Sequence, residues 1–161
     1  MIILGLDPGI GTTGWGCIKD ERGNLEHVGH GVISTPPNTD DAKRLIELKT
    51  KVDALLTEHK PELVGIEQLL FGRNVSTAMS VGQARGVLVL ACQQAGAAIV
   101  EVKPNQVKQA VTGYGAAKKG QVQQMVKTIL SLAKNPTPDD AADALAVAIC
   151  TASQKNSHAH A

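Results

Sequence analysis

A chain of 161 residues with a formal net charge of +1 is long enough for one domain with a full core, and too nearly neutral to be a general basic coat for nucleic acid. Hydrophobic residues make up 43% of it and aromatics only 2%, so Val, Ile, Leu and Ala have to fill the interior. No apolar run of membrane-spanning length is read in the sequence and no charged leader precedes the first apolar segment, so a cytoplasmic protein with no membrane association is expected.

The run from Ile2 to Leu6 is too short for a helix and rich in branched residues, which predicts a buried strand ending at Asp7. Pro8-Gly9 cannot continue that strand. The glycines at 9, 11, 14 and 16 are expected to let the backbone reverse into a second one, leaving a single carboxylate on the rim of a hairpin. Gly14 to Lys19 and Leu25 to Ile33 predict two further strands, joined by Asp20-Glu21-Arg22-Gly23-Asn24 into an antiparallel meander. Thr39 is expected to cap a helix running to about His59, with Leu45, Leu48, Val52, Leu55 and Leu56 at helical spacing and Pro61 closing it. Leu63 to Ile66 is a brief apolar run that ends on Glu67, a second strand with an acid at its end.

A long helix is predicted from about Asn74 to Gly96, with Gly82 and Gly86 in its interior. Each glycine there costs roughly 1 kcal/mol against alanine, so a close backbone contact is expected, either with the sheet or, preferably, with the same helix of a second copy. Ala97 to Val102 reads as a fifth strand. A helix opened by Pro104 stops before Gly113-Tyr114-Gly115, and another spans about Lys119 to Ala133. The last helix is expected to begin with Thr137 as cap and Pro138 in its first position and to run to about Thr151. Residues 152–161 are small and polar and are expected to form a frayed tail after a single domain over 1–151. Five strands with helices inserted after the third predict an α/β fold: a mixed sheet covered by helices on both faces. Cys17, Cys92 and Cys150, far apart and set in apolar sequence, are expected to be buried thiols and not disulfides or metal ligands.

An acid before Pro-Gly is by itself an ordinary turn residue, and acids in a helix's first turn favour its dipole. The combination is less ordinary. Asp7 and Glu67 end neighbouring strands, while Asp140 and Asp143, three apart, share one face of a helix whose other residues call for burial; Asp139 points elsewhere. A buried Asp143 needs a cation, and no Lys or Arg lies within a turn of it. Four converging carboxylates repel one another unless divalent ions neutralise them, and oxygen-only ligands select Mg²⁺, with Mn²⁺ as a substitute. Two such ions suit hydrolysis of a phosphodiester. Between Val102 and Pro138 there is no acid, whereas Lys103, Lys108, Lys118, Lys119, Lys127 and Lys134 all fall there, a basic stripe suited to a polyanion's backbone.

Taken in order, Gly5-Leu6-Asp7-Pro8-Gly9 with Thr13-Gly14-Trp15-Gly16, Ile66-Glu67-Gln68, Val81-Gly82-Gln83-Ala84-Arg85-Gly86, Val107-Lys108-Gln109-Ala110-Val111-Thr112-Gly113 and Asp140-Ala141-Ala142-Asp143-Ala144-Leu145-Ala146 cover almost the whole chain. This ordered set resembles the RuvC-type Holliday junction resolvases. The resemblance implies a ribonuclease H-like fold and a homodimer that binds four-way DNA junctions and nicks two strands of like polarity symmetrically in recombination and repair. It implies catalytic and metal-binding roles for Asp7, Glu67, Asp140 and Asp143, two Mg²⁺ per subunit, lysines at 108 and 119 that support cleavage and hold the backbone, and partnership with a RuvA–RuvB branch-migration motor. In the family the third residue after the Glu is often a base-stacking Phe. Here that place is Leu70, so stacking is transferred to Phe71, in a loop with Gly72, Arg73 and Asn74, with a core-anchoring Phe as the alternative. Arg73, Asn74, Tyr114 and Lys118 are further candidates for contact with DNA.

Other classes stay open on the residues. A nuclease of the same fold acting on RNA or another branched nucleic acid would carry the same acids, and a junction-binding protein without chemistry would not need all four. An actin-like ATPase shares a glycine-rich hairpin after an Asp, but it needs two related domains and no second copy is present.

Overall fold

The structure, a computed structural model, describes residues 1–69 and 75–158, the last three without their side chains. In chain order the elements are β1 Ile2–Asp7, β2 Thr12–Glu21, β3 Asn24–Ser34, α1 Asp41–His59, β4 Leu63–Glu67, α2 Val75–Gln94, β5 Ala98–Val102, α3 Pro104–Thr112, α4 Lys119–Ile129 and α5 Asp139–His158. The five strands form one sheet in the order β3-β2-β1-β4-β5. The meander β1-β2-β3 is antiparallel, whereas β4 joins β1, and β5 joins β4, in parallel. The expected mixed sheet with helices on both faces is what forms.

Because side chains alternate across a strand, each strand contributes to two separate aliphatic cores. Leu4, Leu6, Val64 and Ile66 pack beneath α1 and α2 with Leu48, Val52, Leu88 and Cys92. Ile3, Ile18 and Val102 lie on the opposite face with residues of α3, α4 and α5, including Val107, Val126 and Leu145. The same alternation places Asp7 with Ile3 and Gly5, and Glu67 with Gly65, on the face that α5 covers.

Glycines decide how closely α5 approaches. A Cβ on Gly5 would run into the Ala144 carbonyl oxygen, one on Gly14 into that of Asp140, and one on Gly65 into the Thr151 hydroxyl; on Gly16 it would come within 2.6 Å of the Leu145 nitrogen. This corrects the expectation that the glycines at 9, 11, 14 and 16 serve chain reversal. None of them has a positive φ, and Gly14 and Gly16 are extended residues of β2 that clear a path for a helix. Gly9 does serve the turn, where a Cβ would strike the Thr12 carbonyl.

Element ends differ from expectation in four places. Asp40, not Thr39, caps α1, its Oδ1 accepting from the Ala42 N–H at 2.9 Å, and Lys60 closes the helix in a left-handed conformation with φ 47°. α4 stops at Ile129, short of Ala133, because Ser131 turns left-handed at φ 50° and the Leu132 N–H returns to the Lys127 carbonyl at 2.9 Å. α5 opens at Asp139, with the Pro138 carbonyl accepting from Ala141 and Ala142. It then continues to His158, so the tail expected from residue 152 is helical over most of its length, and Ala152 is buried.

All three cysteines are free and buried, as expected, and burial pushes each thiol up to about 11. Against expectation, α2 is long and apolar enough to cross a membrane by length and composition. One side of it packs in the core through Ala84, Leu88, Ala91 and Cys92. Its opposite side is exposed at Val75, Met79, Gln83, Gly86 and Leu90, a single stripe at helical spacing.

Candidate active site

Parallel pairing of β1 with β4, in register from Ile3 opposite Leu63 to Leu6 opposite Ile66, carries the chain to Asp7 and Glu67 at the same edge of the sheet. On the other side of β1, Asp7 pairs with Gly14, over which the first turn of α5 lies. The hairpin between β1 and β2 is fixed by Thr13, which is fully buried. Its Oγ1 donates to the Gly9 carbonyl at 2.6 Å and accepts from the Gly9 N–H at 3.3 Å. Thr35, the residue after β3, ties the same loop, its N–H reaching the Gly11 carbonyl at 3.0 Å, while its Oγ1 accepts from Arg44 Nε at 3.0 Å.

Asp7, Asp140 and Asp143 each offer a carboxylate oxygen within 4.8 Å of the others. Glu67, at the end of the neighbouring strand β4, is not one of that group of three, yet its charge acts on Asp7 more strongly than those of Asp143 and Asp140. It lines a cleft of about 240 Å³ with Asp143, Lys108, Lys119, Pro104, Val107, Val122 and Ala146. The lysines at 108 and 119 therefore face the acids from α3 and α4, the two helices of the basic stripe. Each of these helices begins on a lysine whose backbone N–H is taken by a glutamine side chain three residues on, Lys103 by Gln106 at 2.9 Å and Lys118 by Gln121 at 2.8 Å.

Crowded like charges in a half-buried cleft disfavour ionisation. Burial, followed by the charges of Glu67, Asp143 and Asp140, pushes the Asp7 carboxyl up from 3.8 to about 7, and Lys119 opposes the rise. Burial and then Asp143 raise Glu67 against the pull of Lys108. Asp143 is raised chiefly by burial, and Lys119 is the main opposing group. That donor set, oxygen only and strained by its own repulsion, fits hard divalent cations and no soft metal.

The RuvC family model, described as crossover junction endodeoxyribonuclease RuvC, matches residues 3–151. The chain belongs to the RuvC family. It is 51% identical over 152 residues to the crossover junction endodeoxyribonuclease RuvC of Heliobacterium modesticaldum, covering 94% of each chain. To that of Rubrobacter xylanophilus it is 50% identical over 151 residues, covering 94% of this chain and 84% of the relative. The structure of Thermus thermophilus RuvC in complex with Holliday junction substrate superposes with a TM-score of 0.89 at 32% identity, covering 98% of this chain and 96% of that one. The ribonuclease H-like sheet expected from the resemblance is thereby that of a RuvC structure.

Within this RuvC fold the remaining sequence-based candidates scatter. Tyr114 and Lys118 lie on the α3–α4 connection outside the cleft. Tyr114 is 62% exposed, with its carbonyl held by the Thr112 hydroxyl at 3.0 Å. Phe71, Arg73 and Asn74, with Leu70, fall outside the described residues. Gly82 and Gly86 make no close contact with the sheet: among the described residues a Cβ on Gly82 would come no nearer than 3.8 Å to Leu69, and one on Gly86 would meet nothing within 4 Å.

Two features escaped the sequence reading. The cation expected beside Asp143 comes from another helix: Lys119 Nζ lies 3.2 Å from Asp143 Oδ2 and 3.3 Å from Asp139 Oδ2. Arg85, the one charge on α2, pairs with Glu101 on β5 at 2.5 Å, and Gln68 donates to the same carboxylate at 3.3 Å, so the residue after Glu67 is tied to α2. The first had a faint signal in the acid-free lysine run; the second had none, since its partners are far apart in the chain.

Proposed function

We propose that this chain is a divalent-metal-dependent endonuclease that nicks four-way DNA junctions as a homodimer, in recombination and repair. The observation that carries the reading is the convergence of Asp7, Asp140 and Asp143 within 4.8 Å, beside a cleft that Asp143 lines together with Glu67, Lys108 and Lys119. Mg²⁺ is the natural ion and Mn²⁺ a substitute, two per subunit. Such ions would supply Lewis-acid assistance to hydrolysis of a phosphodiester. Asp7, Asp140 and Asp143 would hold them from the hairpin and α5, with Glu67 as a further ligand from the β4 edge. Lys108 and Lys119 offset phosphate charge beside the reacting bond and keep the strand seated. Phe71 stacks on bases at the junction, and Arg73, Asn74, Tyr114 and Lys118 contact the backbone around it.

The homodimer forms through α2. Val75, Met79 and Leu90 are 72%, 68% and 54% exposed on one stripe, and Gly86 on that stripe, with Gly82 beside it, lets two helix backbones approach. Two copies joined there present two centres, as paired nicks in strands of like polarity require. Partnership with a RuvA–RuvB motor is carried into the proposal by family membership. Three buried free thiols suit a reducing cytoplasm.

The deciding experiment is a Mg²⁺ titration of nicking on a synthetic four-way DNA junction, with products mapped to single nucleotides and duplex DNA and an RNA junction as competitors. Symmetric, Mg²⁺-dependent nicks in two like strands of the DNA junction are expected. Preference for the RNA substrate would favour another nuclease of this fold, and tight junction binding with no nicking at any Mg²⁺ concentration would reduce the protein to a binding module.

A further inference from the structure

Lys119 occupies the position from which a cation acts on the acids. Its half-exposed ammonium straddles two carboxylates, 3.2 Å from Asp143 Oδ2 and 3.3 Å from Asp139 Oδ2. Asp143 belongs to the group that converges within 4.8 Å and Asp139 does not. Asp139 is also held from its other side, where Gln123 Nε2 donates to its Oδ1 at 2.9 Å. The ammonium is thus shared between one carboxylate inside the centre and one fixed outside it.

We propose that Lys119 is the internal counter-ion of the metal-free centre, displaced from Asp143 when a divalent ion binds and retained by Asp139, which is a positioning residue for it. The proposal rests on the metal-dependent reading above. A crowd of carboxylates needs positive charge to stay folded together, and a tethered ammonium supplies it without being drawn from solution. A divalent ion carries twice that charge and takes several oxygens at once, so it wins Asp143. Asp139 then decides what the displacement costs. With that second seat the ammonium exchanges two carboxylates for one and stays at the cleft that Lys108 also lines; without it, Lys119 holds Asp143 more firmly and metal entry is opposed.

The test is Mn²⁺ binding to the full-length protein without DNA, read from the spin-resonance signal of free Mn²⁺, for wild type, Lys119→Gln, Asp139→Asn and the double variant. Lys119→Gln should bind Mn²⁺ more tightly, by up to about five-fold, the range of a solvent-accessible ion pair. Asp139→Asn should bind it more weakly, and this loss should vanish in the Lys119→Gln background, where the seat has no occupant. An unchanged affinity in Lys119→Gln overturns the proposal. So does an equal loss from Asp139→Asn in both backgrounds, because Asp139 would then act through its own field and not through Lys119. Absence of saturable Mn²⁺ binding in all four proteins would remove the metal centre itself, a failure distinguishable from either of these.

Discussion

At the scale of single residues, the proposed chemistry turns on Asp7, whose carboxyl is raised to about 7 by burial and then by Glu67, Asp143 and Asp140. Replacing it by Asn should abolish nicking while a gel shift still shows junction binding. Because the substitution also removes a repelled charge, it should stabilise the metal-free protein at pH 8 by about 1–2 kcal/mol in a denaturant melt. The sign of the pH effect follows from the direction of the shift. Between the ordinary carboxylate value of 3.8 and about 7, folded Asp7 keeps a proton that the unfolded chain has released. Its contribution to stability is therefore full at acid pH and lost as pH rises through 7. Melting in EDTA across pH 5 to 8 should show that decline, and Mg²⁺ should reverse it most strongly at pH 8. Since the same proton competes with the ion, the Mg²⁺ concentration needed for half-maximal nicking should rise as pH falls from 8 to 6.

At the scale of elements, glycines serve α5 and, in the proposed dimer, α2 for opposite reasons. α5 lies on the sheet because Gly5, Gly14, Gly16 and Gly65 leave room for its backbone, and the carboxylates of Asp140 and Asp143 reach Asp7 only at that separation. Gly14→Ala should cost about 1–3 kcal/mol, as overpacking does, and should lower Mn²⁺ affinity as well by lifting the first turn of α5. A urea melt and a Mn²⁺ titration on the same sample would check both. On α2, a Cβ at Gly86 meets nothing within 4 Å among the described residues. Gly86→Leu should leave the subunit folded, by circular dichroism, yet shift sedimentation toward a monomer; an unchanged dimer would place the seam elsewhere. The sequence pattern already marked these glycines as costly in a helix, but could not tell a contact within the chain from one between copies.

For the whole molecule, charge is segregated although its sum is near zero. The lysine run lies on α3, α4 and their flanks, and two of its members line the cleft that holds the acids. Lys108→Ala with Lys119→Ala should slow turnover and flatten the salt dependence of junction binding, by about one unit of slope for each phosphate that is no longer neutralised. A slope equal to that of the wild type would put both side chains off the DNA. Local patterning, in short apolar runs, helical spacing and Pro or Gly punctuation, was enough to locate the five strands and five helices of the described residues, because burial and chain reversal both leave marks that are readable locally. It also put acids at the ends of β1 and β4 and on one face of α5, and the ordered motifs were specific enough for the family. What periodicity does not encode is the distance between elements far apart in the chain. That Gly14 and Gly16 face a helix and that the counter-ion of Asp143 arrives from α4 were decided only when α5 settled across the sheet. A contact of that kind depends on the angle and depth at which two packed surfaces meet, and no local spacing of residues carries either quantity.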